Sequence, residues 1–463
     1  MKSLIIRNVS YNFLNNFSGI LFTLLATPYL TRTLGAEGMG SYALLMAIIA
    51  FYLTFSYFGL PFFGQRKVSS TNNSDRRKIS SEIIAFSVYT YLISSMIFLP
   101  IGFFFYKELF FEFLILSLVP LINFISAEWY FQGTEKFKYI FWRGLLTRII
   151  CFCLMVAFIK DTKDLWIYCI LSVFIMTGGS ILNVFYSSQY LNIKEYFKHL
   201  DFINIKKTFF LTISFFSIDM FSKAFGNAEI LILDFFIDQQ EIGIYSIYLK
   251  ISLLFIYFAQ ILSITILPRV SNYLMTSNKK IEIFQLALEV TYLYLILITV
   301  FLFFFGNEII LIFAGKEFIT NPNLIYFFIP FILFNSGNAL ISNIYLIPNH
   351  LEKNYLIATA VSSIILIILT ILFAEYYGIY GAALALTTSS LVQLLINFLS
   401  IRSSEYREQF KLVPIFLLFI VSVVSFNFKI LNFGIVYSII FYIAFSIVTI
   451  IWFFNTTLKN KLK

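Results

Sequence analysis

The chain has 463 residues, of which 60% are hydrophobic, 20% are aromatic and 12% are charged. A soluble domain carries about 25% charged residues, so this composition excludes a soluble globular protein and indicates a chain that folds in lipid. The net charge of +9 does not indicate nucleic-acid binding, because the basic residues lie mainly in short segments between apolar runs. The chain has two histidines, and its three cysteines lie in apolar runs, so we expect no metal site and no cofactor.

Apolar runs long enough for a helix to cross a bilayer follow one another along the whole chain. We therefore predict an all-α polytopic membrane protein with about fourteen transmembrane helices. Four pairs of runs are so closely spaced that twelve or thirteen helices fit as well. The predicted spans are 11–30, 41–63, 82–106, 109–132, 143–160, 164–189, 209–233, 242–267, 284–306, 324–347, 355–375, 379–400, 411–428 and 432–454.

Lysine and arginine divide unevenly between the two sets of connecting segments. The set that includes both termini carries 25 of them, the opposite set carries 6, and Lys223 and Lys250 lie within spans. Cytoplasmic segments of membrane proteins are enriched in these residues, which predicts that both termini are cytoplasmic. The basic surplus then faces the anionic headgroups of the lipid bilayer.

Two short patterns occur twice in the chain. Gly40-Ser41-Tyr42 joins spans 1 and 2 on the predicted outer face, and Gly243-Ile244-Tyr245 joins spans 7 and 8 on the same face. Glu135-Lys136 and Glu352-Lys353 open the cytoplasmic turns that follow spans 4 and 10. The offsets of 203 and 217 residues indicate that spans 1–6 are repeated as spans 7–12.

A repeat of six spans leaves both halves in the same orientation, around an axis along the membrane normal. Transporters of this design bind substrate between the halves. We predict an N-terminal six-helix bundle at 1–190, a basic cytoplasmic linker at 191–208 and a C-terminal six-helix bundle at 209–400, arranged around a central cavity. Two additional transmembrane helices and a basic tail occupy 401–463.

Five segments carry a resemblance to a known family. They read TPYLTRTLGAEGMGSYA, GLPFFGQRKVS, EWYFQGTEKFKYIFWRGLLTRII, IGIYSIYLKI and LPRVSNYL, and they lie in this order over residues 7 to 275. Together they resemble Wzx-type polysaccharide flippases, in the multidrug/oligosaccharidyl-lipid/polysaccharide exporter superfamily. Many members of that family have twelve spans, so the predicted count of fourteen spans departs from the family pattern.

The resemblance implies a function and a location. It implies a flippase that carries undecaprenyl-pyrophosphate-linked oligosaccharide repeat units, for O-antigen, capsule or a related surface polysaccharide, from the cytoplasmic to the outer leaflet of the bacterial inner membrane. It also implies two six-helix bundles around a central cavity. A polysaccharide polymerase and a chain-length regulator are the protein partners that such a flippase would have.

Spans 7 and 8 contain charged residues, which are costly in a membrane and usually face a cavity or a partner. Asp219 and Lys223 are four residues apart on one helix face, so they could bind a coupling ion and substrate respectively, or simply pair with each other. Glu229 is a second candidate for the coupling ion. Lys250 has no carboxylate at helical spacing within its span, and the family resemblance places it at a recurrent lysine. We predict that it contacts the pyrophosphate.

Span 1 has a stripe of polar residues, which includes Asn12 and Asn15. Asparagine in a membrane helix can bond to a neighbouring helix, but four asparagines in under three turns favour the wall of a hydrated cavity. Asn12 and Asn15 are therefore candidate substrate contacts. Arg32, at the outer end of this span, could bind an anion or could reach the headgroups.

Two other functions remain open. A cation-coupled multidrug exporter of the same superfamily would use Asp219 and Glu229 as its ion site. A membrane polymerase or glycosyltransferase would need catalytic carboxylates on a long outer loop, and the longest predicted outer loop, 306–323, offers only two glutamates. The sequence therefore predicts a transporter and not an enzyme.

Overall fold

The computed structural model of the chain describes residues 2–72, 75–126, 128–187, 202–272 and 277–402. Within these ranges the chain forms helices and turns and contains no β-strand, which confirms the all-α class. The predicted spans at 411–428 and 432–454, and most of the predicted linker at 191–208, lie outside the described residues.

The described residues form thirteen α-helices, two short 3₁₀ segments (Thr162–Asp164 and Lys316–Ile319) and one π segment (Ser342–Leu346). In chain order the helices are α1 (Lys2–Tyr57), α2 (Leu60–Ser69), α3 (Arg76–Phe105), α4 (Phe110–Leu116), α5 (Leu118–Ser126), α6 (Glu128–Gly133), α7 (Phe137–Phe158), α8 (Leu165–Ser187), α9 (Phe202–Leu233), α10 (Gln239–Asn272), α11 (Ser277–Ala314), α12 (Leu324–Ile341) and α13 (Glu352–Leu399).

The chain groups into two compact units, Met1–Ile244 and Tyr245–Lys463. In the first unit α1 is the central element, because it packs against α3, α7 and α9. In the second unit α12 packs against α11 and α13. The bundle boundaries given above stay a prediction.

Eight helices in the described ranges are long and apolar enough to cross a membrane, so the chain is a multi-pass membrane protein. Two of them, Ser10–Tyr57 and Glu352–Leu399, have 48 residues each. A single crossing needs about 20 residues. Each long helix is interrupted by one glycine, and the two limbs lie where the sequence predicts two spans.

Gly35 and Gly378 make these interruptions. Gly35 has φ 69° and ψ −176°, and Gly378 has φ 51° and ψ −130°, which are conformations that residues with a Cβ rarely adopt. After Gly378 the chain folds back on itself, since a Cβ on Gly381 would collide with the backbone of Phe373, eight residues earlier. One glycine therefore replaces the connecting loop that the sequence predicts between each pair of spans.

The predicted fourth span, 109–132, is not one helix. Helix α4 ends at Leu116 and α5 begins at Leu118, so the span is broken at Ser117. Pro120 explains this break, because proline has no backbone N–H to bond to residue 116 and its ring clashes with that carbonyl group. The Ser117 hydroxyl donates a hydrogen bond of 2.7 Å to the carbonyl oxygen of Leu114.

Helix α7 begins at Phe137, six residues before the predicted fifth span, 143–160. Arg143 and Arg148 lie within this helix, which is apolar enough to cross a membrane. Both guanidinium groups have polar partners inside the first unit.

The repeated glycines at 40 and 243 lie against each other within the first unit. A Cβ on Gly40 would collide with the carbonyl oxygen of Gln239, and a Cβ on Gly243 would collide with that of Ala36. Each glycine thus faces the residue one helical turn before the other glycine. Small residues let two helix backbones approach this closely. Ser41 adds a hydrogen bond from its hydroxyl to the side-chain oxygen of Gln239.

We predict that Gly35→Ala destabilises the protein, because alanine cannot adopt the conformation of Gly35 without strain of about 1–3 kcal/mol. Thermal unfolding of the purified protein in detergent should show a lower Tm. Gly226→Ala is the control, because a Cβ there has no atom within 4 Å and alanine favours a helix by about 1 kcal/mol over glycine. Equal Tm values for the two variants would contradict the assignment.

Candidate functional site

The first unit contains a cavity of about 200 Å³ between α1, α7 and α8, next to Glu128 at the start of α6. It is lined mainly by polar groups and glycines. The lining residues are Asn15, Glu128, Ile140, Arg143, Gly144, Thr147, Arg148, Ile175, Met176, Gly179 and Ser180.

Arg143 is the more buried of the two cations in the cavity, with 8% of its surface exposed. Its Nη2 lies 3.2 Å from Oε1 of Glu128, and its Nη1 donates a hydrogen bond to Oδ1 of Asn183. The guanidinium carbon also lies 5.6 Å from the centre of the Tyr139 ring, within the range of a cation–π contact. The buried Nε has no hydrogen-bond partner among the described residues.

Arg148 is half-buried and is held by neutral groups. Its Nη1 donates to Oδ1 of Asn15 at 3.1 Å and to the hydroxyl of Ser18 at 2.7 Å. In the described part of the chain no carboxylate forms an ion pair with Arg148, since the recorded pair joins Glu128 to Arg143. The cavity therefore contains two guanidinium groups and one carboxylate, and its surplus positive charge suits an anion.

Glycines make the space for both guanidinium groups. A Cβ on Gly179 would collide with Nε of Arg143. A Cβ on Gly144 would lie 2.9 Å from Oδ1 of Asn15 and 3.2 Å from Nη1 of Arg148. Helix α7 can therefore present both guanidinium groups to one cavity because Gly144 on α7 and Gly179 on α8 leave room for them.

Of the five predicted substrate contacts, Asn15 lines this cavity. Asn12 is exposed on α1. Arg32 is exposed as well, and its Nη1 donates to the carbonyl oxygen of Pro28 at 2.6 Å. Lys223 on α9 and Lys250 on α10 are half-buried, and neither lines the cavity. The substrate roles of these residues stay predictions.

The two predicted carboxylates have different surroundings. Oδ2 of Asp219 accepts a hydrogen bond of 2.9 Å from the hydroxyl of Thr54. No ion pair between Asp219 and Lys223 occurs in the described ranges. Glu229 is completely buried. Their role in ion coupling is likewise a prediction.

Sequence reasoning missed Arg143, Arg148, Glu128 and Asn183 as site residues. The two arginines were counted as topology signals at the end of a span. Glu128 offered a usable signal, since it lies inside the predicted span 109–132 and a carboxylate within a span usually faces a cavity or a cation. The glycine pair at 178 and 179 was a second signal, for close helix packing.

The family of polysaccharide biosynthesis proteins matches residues 5–274, which is more than half of the chain. The chain belongs to this family. The matched region includes all of the cavity and most of the described first unit.

Two relatives of this polysaccharide biosynthesis protein are informative. A protein of Escherichia coli (strain K12) described as "Putative O-antigen transporter" is 29% identical over 164 residues, which are 34% of this chain and 39% of that protein. The chain thus matches well under half the length of that relative. The capsular polysaccharide biosynthesis protein CapF of Staphylococcus aureus is 24% identical over 404 residues, which are 84% of this chain and 97% of that protein.

Two solved structures share the fold. An inward closed conformation of the lipid II flippase MurJ aligns with a TM-score of 0.70 at 19% identity, covering 99% of this chain and 100% of MurJ. An inward-facing multidrug resistance transporter of the MATE family, in the MOP superfamily, aligns with a TM-score of 0.57 at 13% identity, covering 82% of this chain and 92% of that transporter. The chain therefore shares its fold with a flippase and a transporter of known structure.

We predict that Gly179→Ala lowers the thermal stability of the protein, since overpacking against the Arg143 side chain costs about 1–3 kcal/mol. Gly178→Ala is a matched control on the same helix. Its Cβ would lie 3.0 Å from Cγ2 of Thr147 and 3.4 Å from the Phe174 ring, so small side-chain shifts accommodate it. Unfolding temperatures in detergent measure both, and a larger loss for Gly178→Ala would contradict the packing described for Arg143.

Proposed function

We propose that this protein is a flippase that moves a lipid-linked oligosaccharide with a diphosphate linkage across the membrane by alternating access. The substrate class is undecaprenyl-pyrophosphate-linked repeat units of O-antigen, capsule or a related surface polysaccharide. The observation that carries the proposal is the surplus positive charge of the cavity, which resides on Arg148. The family membership and the flippase-like fold support it.

A diphosphate that enters an apolar helix bundle needs fixed positive charge, because charge is costly in a low dielectric. Arginine offers a planar pair of donors that matches phosphate oxygens. Both recorded hydrogen bonds of Arg148 come from Nη1. Within the described residues Nε and Nη2 of Arg148 donate no hydrogen bond, so these donors are available for phosphate oxygens.

The neutral polar groups suit the sugar part of the substrate. Asn15, Thr147 and Ser180 line the cavity beside the arginines. Amide and hydroxyl groups can hydrogen-bond to sugar hydroxyls without adding charge. We propose Asn12 and Asn15 as sugar contacts, and Arg32, Lys223 and Lys250 as further cationic contacts along the transport cycle.

We propose that the protein lies in the bacterial inner membrane with both termini in the cytoplasm. The uneven distribution of lysine and arginine supports this orientation. A polysaccharide polymerase and a chain-length regulator are proposed partners, because they would act on the translocated repeat unit.

A cation-coupled multidrug exporter is the second candidate function. The MATE-like fold and the hydrogen-bonded Asp219 favour it. The charge of the substrate separates the two functions, because a cavity with surplus positive charge attracts anions and repels cations.

We predict that Arg148→Ala abolishes surface polysaccharide in a flippase-deficient strain while membrane levels, checked by immunoblot, stay normal. Loss of one charge-assisted contact costs about 1.5–3 kcal/mol, or roughly ten- to a hundredfold in affinity. Arg148→Lys keeps the charge and should retain partial activity. Lys138→Ala, which removes an exposed cation from the same helix, is the control. Full activity of a normally expressed Arg148→Ala protein would overturn the role of the cavity.

We also predict that Lys250→Ala reaches the membrane but delivers no surface polysaccharide, and that Lys250→Arg keeps partial activity. The reason is its position, half-buried within a predicted span and with no carboxylate at helical spacing. The same complementation assay measures both variants. Wild-type polysaccharide from Lys250→Ala would remove Lys250 from the proposed pathway and leave the cavity proposal intact.

A further inference from the structure

We propose that Glu128 and the diphosphate compete for Arg143. Glu128 pairs with Arg143 before the substrate binds, and the diphosphate of the substrate then displaces the Glu128 carboxylate. This inference rests on the proposed function and adds a regulatory step at the same site. The ion pair between Glu128 and Arg143 is its structural basis.

The two side chains of this ion pair differ in how much room they have to move. The Arg143 side chain is 7% exposed, whereas the Glu128 side chain is 41% exposed. Arg143 is also fixed by its hydrogen bond to Asn183, by the Tyr139 ring and by close packing against Gly179. If the pair opens, the carboxylate moves and the guanidinium stays in place.

The charge of the empty cavity explains why a competitor is needed. A buried guanidinium with no anion beside it is strongly disfavoured in an apolar bundle. Glu128 supplies that anion through a single contact at 3.2 Å. A diphosphate carries at least two negative charges and can interact with Arg143 and Arg148 together, so it can replace the single carboxylate.

The displaced residue lies at the start of α6, which packs against α2. A Cβ on Gly64 of α2 would lie 2.7 Å from the Trp129 ring, and a Cβ on Gly133 would lie 2.9 Å from the carbonyl oxygen of Gln65. Glu128, which the substrate displaces, is therefore next to the closely packed pair of helices α2 and α6. Release of Glu128 breaks the ion pair between the start of α6 and α7.

Binding of undecaprenyl diphosphate to the purified full-length protein in nanodiscs tests the inference. Glu128→Gln removes the competing charge and should bind the lipid more tightly, by roughly two- to fivefold, the factor expected for a partly exposed ion pair. Glu108→Gln makes the same chemical change at an exposed position outside the cavity and should leave affinity unchanged. In an Arg143→Gln background the gain from Glu128→Gln should be smaller, because no ion pair remains to be displaced, and in an Arg148→Gln background it should persist.

The outcomes separate the two proposals. If the wild-type protein does not bind undecaprenyl diphosphate, the proposed function fails. If the wild-type protein binds and Glu128→Gln binds equally or more weakly, the displacement of Glu128 is overturned. Should Glu128→Gln not fold, Glu128→Asp decides, because it keeps the charge but withdraws the carboxylate from Arg143. A gain in affinity for Glu128→Asp supports displacement, and no gain overturns it.

Discussion

The burial of the Arg143 guanidinium within an apolar helix bundle is the constraint on which the rest of the site depends. A charge in this position must be matched by an acceptor or an anion. Asn183 and Glu128 meet that requirement, and Gly179 leaves the space for the side chain. The same requirement links α7, α8 and α6, so the cavity and the packing around it have one physical cause.

Arg148 is the second guanidinium group of the cavity, and it has no carboxylate partner among the described residues. Its partners Asn15 and Ser18 are neutral, so they position the guanidinium and leave its charge available. The carboxylate of Glu128 neutralises one of the two arginines, and the charge of the other remains to attract an anion. The chain shares its fold with MurJ.

Features that depend on local sequence were predictable. The all-α class follows from the apolar runs, and the limbs of α1 and α13 lie at the predicted spans because glycine interrupts the apolar pattern at 35 and 378. The polar face of span 1 predicted a cavity wall, and Asn15 does line a cavity, while its contact with substrate stays a prediction. The repeated glycines at 40 and 243 were also visible, although their contact with each other became apparent only in the structure.

Features that depend on tertiary partners were not predictable. Arg143 and Arg148 look like cytoplasmic charges until Asn183, Glu128 and Asn15 are placed beside them, and these residues are 15 to 133 positions away in the chain. Glu128 lies near the end of the predicted span 109–132, in a six-residue helix, and its contact with Arg143 depends on a residue 15 positions away. No local pattern encodes that several distant residues converge on one cavity.

The most direct test of the account is transport by the purified protein in proteoliposomes, measured with one oligosaccharide attached to undecaprenol through either a diphosphate or a monophosphate. Translocation of the diphosphate-linked form well above the monophosphate-linked form is the predicted result, since two guanidinium groups face the additional charge. Equal translocation of the two forms, or translocation of neither, would contradict the claim that the arginine cavity recognises a diphosphate.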